Sequence, residues 1–199
     1  MNLPNRLTIF RIVFVPVVAA LIMYPIVPDV WVINRWLIAG LAFGLAAITD
    51  AFDGSIARKR GITTDFGKLL DPVADKLLVA GSLIALMMVG LCSPWIIIIV
   101  LFREFLVTSM RMIQAGRGNI IPANNWGKAK TVIQIVAIVT VFVTQYIKYI
   151  IAHFKIGVPD IVPQIGDIAA QALLWISAVV TLISGAVYLF QSREIFKKG

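Results

Sequence analysis

Hydrophobic residues run along this chain in long blocks separated by short polar stretches. Six blocks stand out, at residues 5–27, 31–58, 71–91, 94–115, 127–151 and 168–191. Each has at least the roughly 20 residues that a helix needs to cross a bilayer. Runs such as SPWIIIIVLF and TVIQIVAIVTVFVT lack the two-residue alternation of a barrel strand. In lipid only helices and closed barrels satisfy every backbone group. The pattern therefore predicts an all-α integral membrane protein, with six transmembrane helices forming a single domain over residues 1–199. Pro25, Pro28, Pro94, Pro159 and Pro163 fall between the predicted helices or at their ends, where a missing N–H costs little. Pro16 lies inside the first helix and is expected to kink it. The first block has no short apolar core followed by a small-residue cleavage site, so it is expected to be a mature helix rather than a signal peptide.

Composition strengthens this picture. The chain has 199 residues, 60% of them hydrophobic, and a mean hydropathy of +0.93, more apolar than a soluble domain of this length requires. The net charge of +8 matters mostly through its placement. Arg6, Arg11, Arg58, Lys59, Arg60, Lys68, Lys76, Arg111, Arg117, Lys128, Lys130, Arg193, Lys197 and Lys198 fall on one set of helix ends and loops; Arg35, Lys148 and Lys155 fall on the other. The excess of Lys and Arg on one side predicts that both termini are cytoplasmic. Topology and attraction to anionic lipid account for much of the basicity, and nothing in its pattern points to nucleic acid. Cys92 is the sole cysteine, which excludes a disulfide framework or a cysteine metal site. His153, the sole histidine, is expected at the surface or interface.

One stretch departs from the apolar background. Five of the ten acidic residues fall between Asp50 and Asp75. If the second helix starts near Trp31, Asp50 follows about 28 Å of helix, a full crossing. Asp50 and Asp53 are three apart and share a helix face; Asp71 and Asp75, four apart at the start of the third helix, share another. Pro72 suits that helix's first turn. Helices joined by so short a link are antiparallel neighbours, so the two pairs of carboxylates are expected to meet at one membrane level. Clustered carboxylates in a low-dielectric site cannot all stay ionised without compensation. One or two hard divalent cations, magnesium or manganese, would supply it through all-oxygen ligation. The plainer alternative is that these residues cap helices and pair with nearby Arg and Lys.

Gly54 adjoins Asp53, Gly67 lies four residues before Asp71, and Ala57 lies one turn beyond Asp53. Small residues beside the carboxylates would let a flat group approach the backbone, with Arg58 in reach of a phosphate. Close helix packing through small residues accounts for the same spacing equally well.

Together these residues read Asp50-x2-Asp53-Gly54-x2-Ala57-Arg58-x8-Gly67-x3-Asp71-x3-Asp75. This resembles the signature of the CDP-alcohol phosphatidyltransferase family at every position, and the helix count and length extend the resemblance to the whole chain. The segments NLPNRLTIFR, REFLVTSMR and GKAKT resemble bacterial members that act on glycerol 3-phosphate. The resemblance implies the family's six-helix fold and a multi-pass protein of the cell's inner, cytoplasmic membrane with its site facing the cytoplasm. It implies transfer of the phosphatidyl group of CDP-diacylglycerol to sn-glycerol 3-phosphate, giving phosphatidylglycerophosphate and CMP. Asp50, Asp53, Asp71 and Asp75 would bind two divalent ions, Mg2+ or Mn2+, with Asp75 also the general base. Gly54, Ala57, Arg58 and Gly67 would contact the CDP-lipid. A homodimer is implied as well.

The acceptor would need its own anion site. Glu104, Thr108 and Arg111 fall on one face of the fourth helix. Arg111 and Thr108, with Arg117, Lys128 and Lys130 around the next loop, are the candidates to hold the acceptor phosphate. Arg103 and Glu104 lie about 13–15 Å into a helix starting at Pro94; a structural ion pair and a functional role are both open there. Asn5, Thr8 and Arg11 at the N-terminus either line the same mouth, Asn5 and Thr8 against the CDP-lipid, or serve as caps and interfacial anchors. Another acceptor such as inositol phosphate is compatible with the same motif. A divalent-cation transporter would need the acids but not Gly54, Ala57 and Arg58. An intramembrane prenyltransferase would need a longer chain and different Asp spacing.

Overall fold

The computed structural model describes residues 3–24, 34–60, 65–116 and 125–192; the side chains of residues 3–8, 11, 50–60, 65–75 and 125 lie outside the described set. The described residues form six helices and no strand: α1 Leu3–Met23, α2 Arg35–Arg60, α3 Asp65–Met88, α4 Pro94–Gly116, α5 Asn125–His153 and α6 Ile161–Gln191. Each predicted block overlaps one of them, and Pro16 lies within α1.

Three helix starts differ from the hydropathy reading by four residues or more, each for a local reason. α2 begins at Arg35 rather than near Trp31 because Asn34 caps it. Its buried Oδ1 accepts the backbone N–H groups of Trp36 and Leu37, both at 3.1 Å, two of the amides that a helix start leaves unpaired. Asp50 therefore stands about 22 Å along α2, not 28 Å. α3 begins at Asp65, so Pro72 lies inside the helix rather than in its first turn. Residues 65–70 are too polar for the apolar block, yet Lys68, Leu69 and Leu70 are good helix formers. α6 begins at Ile161 instead of 168, and Pro163 falls within its first turn, where its missing N–H has no partner to lose. Side-chain contacts with α5 hold these early turns: Thr144 Oγ1 donates to the Gly166 carbonyl at 3.4 Å, and Lys148 Nζ pairs with Asp167 at 2.8 Å.

The helices close into a ring in the order α1, α2, α5, α6, α4, α3, with lesser α2–α3 and α3–α5 contacts across it. α2 and α3 are thus both seated on α1 and touch each other less. The core inside the ring holds Val18, Ile22, Ala39, Phe43, Leu83, Leu86, Ile96, Ile138, Val141 and Leu174. The α3–α4 turn closes on Gly90, whose φ of 77° no β-carbon opposes. Gly90 N–H reaches Met87 O at 2.9 Å, and Leu91 N–H reaches Leu86 O at 2.8 Å, the paired bonds that end many helices. In this turn burial pushes the Cys92 thiol up to about 11, so it stays protonated and unreactive at neutral pH.

Polarity is distributed inside out. The outer surface carries Trp95, Ile98, Phe102, Phe105, Trp175, Ile176, Val179, Leu182 and Phe190, an apolar extent that a water-facing monomer does not carry. The inner face of α6 instead buries Ser177, Thr181, Ser184 and Tyr188. These residues bond across the bundle, as polar side chains do between membrane helices: Gln134 of α5 donates to Thr181 at 3.1 Å. Among the described residues, α5 from Trp126 and α6 are long and apolar enough to cross a bilayer. α4 has the length but carries Arg103, Glu104 and Arg111. These features are those of a membrane protein.

Candidate active site

The charges on α4 open onto a cleft of about 690 Å³ formed with α3 and α5. α4 begins at Pro94 as expected, so Arg103 and Glu104 lie about 13–15 Å along it. α3 contributes Lys76; α4 contributes Arg103, Glu104, Thr108 and Arg111; α5 contributes Lys128, Lys130 and Thr131. Of the residues proposed from the sequence for an anion, Thr108, Arg111, Lys128 and Lys130 are therefore brought together. Arg117 lies outside the described residues.

Each of several charged groups is held by a named partner. Arg111 is exposed, with its guanidinium 5.4 Å from the centroid of the Tyr188 ring on α6, within cation–π range. Tyr188 is fixed in turn by donating its hydroxyl to Gln114 at 3.0 Å. Lys76 donates to the Thr108 hydroxyl. Glu104 accepts from Arg103 at 3.0 Å and also from Lys130. The ion pair of Arg103 and Glu104, one of the two readings open from the sequence, is thus present, joined by a cation 26 residues away. Arg103 further donates to Ser184 Oγ of α6 at 2.7 Å. Its buried Nε has no hydrogen-bond partner among the described residues.

Gly185 makes room for this arginine. A β-carbon there would stand 3.0 Å from Arg103 Cγ. Alanine is the better helix former by about 1 kcal/mol, yet Gly185→Ala is expected to lower Tm, because both terminal nitrogens of the Arg103 guanidinium are bonded and the stem cannot easily withdraw. Thermal unfolding in detergent reads this directly; a higher Tm would show that Arg103 gives way freely.

Among the described residues of the cleft lining, Lys76, Arg103, Arg111, Lys128 and Lys130 meet one carboxylate, Glu104. Such an excess of positive charge between low-dielectric walls is suited to a multiply charged anion. Sequence reasoning placed Lys76 in the one-sided basic set but not among the acceptor-phosphate residues, and gave no role to Tyr188 or Ser184. The signal for the last two was present as a stripe: Ser177, Thr181, Ser184 and Tyr188 recur at helical spacing on an otherwise apolar helix.

Of the two helices that carry the aspartates, α3 lines this cleft through Lys76, and α2 packs against α5. Asp50 and Asp53, with Gly54, Ala57 and Arg58, lie on α2; Gly67, Asp71 and Asp75 lie on α3. Their side chains, and those of Asn5 and Thr8 on α1, lie outside the described set. Among the described residues no three His, Cys, Asp or Glu side chains come together as a metal site. The helical register does keep Asp50 with Asp53 and Asp71 with Asp75 on shared faces. Asp75 is followed directly in α3 by Lys76, which lines the cleft.

Comparison with known proteins agrees with the motif. The family model described as CDP-alcohol phosphatidyltransferase matches residues 1–183. A Bacillus subtilis (strain 168) protein named CDP-diacylglycerol–glycerol-3-phosphate 3-phosphatidyltransferase is 34% identical over 202 residues, covering 98% of this chain and 97% of its own. Proteins with the same name are similar in Rickettsia felis, 35% identical over 98% of this chain and 97% of theirs, and in Sodalis glossinidius, 35% identical over 98% and 96%. With helices, motif and near full-length relatives in agreement, the chain belongs to the CDP-alcohol phosphatidyltransferase family.

Proposed function

We propose that this chain transfers the phosphatidyl group of CDP-diacylglycerol to sn-glycerol 3-phosphate, producing phosphatidylglycerophosphate and CMP. The observation that carries the reading is the cleft in which, among the described residues, five cations meet one carboxylate, and whose lining includes Lys76, next to Asp75 in the chain. A doubly charged phosphate on the acceptor suits it, and an uncharged alcohol would not use it. The names of the near full-length relatives support the same acceptor.

Arg111 and Lys128, with Lys130, Thr108 and Arg117, hold the acceptor phosphate and aim its free hydroxyl toward α3. Asp75 accepts the proton of that hydroxyl. The hydroxyl oxygen then bonds to the phosphatidyl phosphorus, the pyrophosphate P–O bond breaks, and CMP leaves. Gly54, Ala57, Arg58 and Gly67, with Asn5 and Thr8, receive the CDP portion while the acyl chains stay in the bilayer. The all-oxygen set of Asp50, Asp53, Asp71 and Asp75, on shared faces of consecutive helices, fits two hard divalent cations, Mg2+ or Mn2+. When bound, these would neutralise charge building on the leaving CMP. In this reading residues 1–199 form one catalytic domain with six spans. Both termini and the site face the cytoplasm at the inner membrane, and two copies form a homodimer.

The test is CMP release by the full chain in lipid nanodiscs with CDP-diacylglycerol, magnesium and either glycerol 3-phosphate or inositol 1-phosphate. Release with glycerol 3-phosphate alone is expected. Release with inositol phosphate alone would overturn the acceptor, and release with neither would overturn the reaction.

A further inference from the structure

We infer that Glu104 is a positioning residue: it holds Lys130 at the wall of the cleft and thereby sets the site's affinity for a phosphorylated acceptor. The inference rests on the reaction proposed above and adds a residue to which that reaction gives no role.

Lys130 is only 7% exposed, although it lines the cleft. A buried ammonium is costly unless paired, and Glu104 supplies the pair. Steric packing does not fix Lys130 by itself. Behind it lies a second cavity of about 30 Å³, lined by Lys76, Glu104, Lys130 and Gln134 among others, which is room for about one water molecule. Without the carboxylate the ammonium loses this contact, with the cleft on one side and this cavity on the other. Glu104 is itself held. Arg103 binds it at 3.0 Å and donates through its other terminal nitrogen to Ser184 at 2.7 Å, with its stem against Gly185. A single chain, Ser184–Arg103–Glu104–Lys130, thus runs from α6 through α4 to α5. In it Glu104 accepts from both cations, which fixes the place of each. Rotamers locked by such support preorganise a binding site.

The experiment compares wild type, Glu104→Gln, Lys130→Ala and the double variant, all as full chains in nanodiscs. CMP release is measured with glycerol 3-phosphate and CDP-diacylglycerol varied in turn. Glutamine keeps the shape of Glu104 and removes its charge. The expected result is a rise of about ten-fold or more in KM for glycerol 3-phosphate in Glu104→Gln, with KM for CDP-diacylglycerol within about two-fold, the size of effect that charge-assisted contacts carry. The double variant should be no worse than Lys130→Ala alone, because residues acting through one contact are not additive. Equal rises in both KM values, or effects that multiply, would overturn the inference and leave the proposed reaction standing. Calorimetric titration with inorganic phosphate reads the same anchor without turnover. Weaker phosphate binding in both single variants supports the inference, and unchanged binding in Glu104→Gln overturns it, even if wild type releases no CMP with glycerol 3-phosphate and the reaction itself fails. Should Glu104→Gln not fold, Gly185→Ala perturbs the chain from α6: a selective rise in acceptor KM supports the inference, and an unchanged acceptor KM overturns it.

Discussion

Asp75→Asn is expected to lower kcat for CMP release by about a thousand-fold, within the range lost when a positioned general base is removed. Asparagine has nearly the same size, so α3 should persist, but the side chain can no longer accept the hydroxyl proton. It is also a poorer donor to a hard cation, because it offers one neutral oxygen in place of a charged carboxylate. Both losses act on the transition state rather than on acceptor capture. The acceptor KM should therefore move little while kcat collapses. The check is steady-state CMP release with donor binding measured separately on the same preparation. A variant that keeps more than about a tenth of the wild-type kcat would remove Asp75 from the role of base, since general-base loss costs far more.

The second large effect is expected at Arg111. It lies on the cleft face of α4, exposed to the cavity and set against the Tyr188 ring. Arg111→Ala should raise the KM for glycerol 3-phosphate by about ten- to a hundred-fold, the equivalent of one charge-assisted phosphate contact. The KM for CDP-diacylglycerol should change far less. Arg111→Lys keeps the charge and loses the planar fork that matches phosphate, so it should recover part of the loss. Initial rates with each substrate varied in turn decide the matter. Equal rises in both KM values would mean that Arg111 supports the fold of α4 and α6 instead of holding the acceptor.

These two residues were legible at different depths. The chain's hydrophobic blocks located all six helices, because burial against lipid or core requires long apolar runs. The Asp motif identified the family, because its eight residues recur at fixed helical intervals. Helix starts were less legible. Asn34 ended one helix's uncertainty through its own side chain, a signal that hydropathy does not weigh. The start of α6 depended on partners in α5 near Thr144 and Lys148, which no local pattern reports.

Sequence alone determined the helical class, the apolar exterior, the Asp spacing and the face shared by Glu104, Thr108 and Arg111. All of these follow from composition and from the 3.6-residue period of one helix. Only the tertiary structure decided which cation meets which acid. Arg103 could be read locally as the partner of its neighbour Glu104. Its second contact, Ser184, lies 81 residues away, and the second cation on Glu104 comes from α5. Tyr188 reaches Gln114 across 74 residues. Periodicity fixes where a side chain stands on its own helix. The order in which helices close into a ring fixes what it faces, and that order depends on contacts summed over the whole chain.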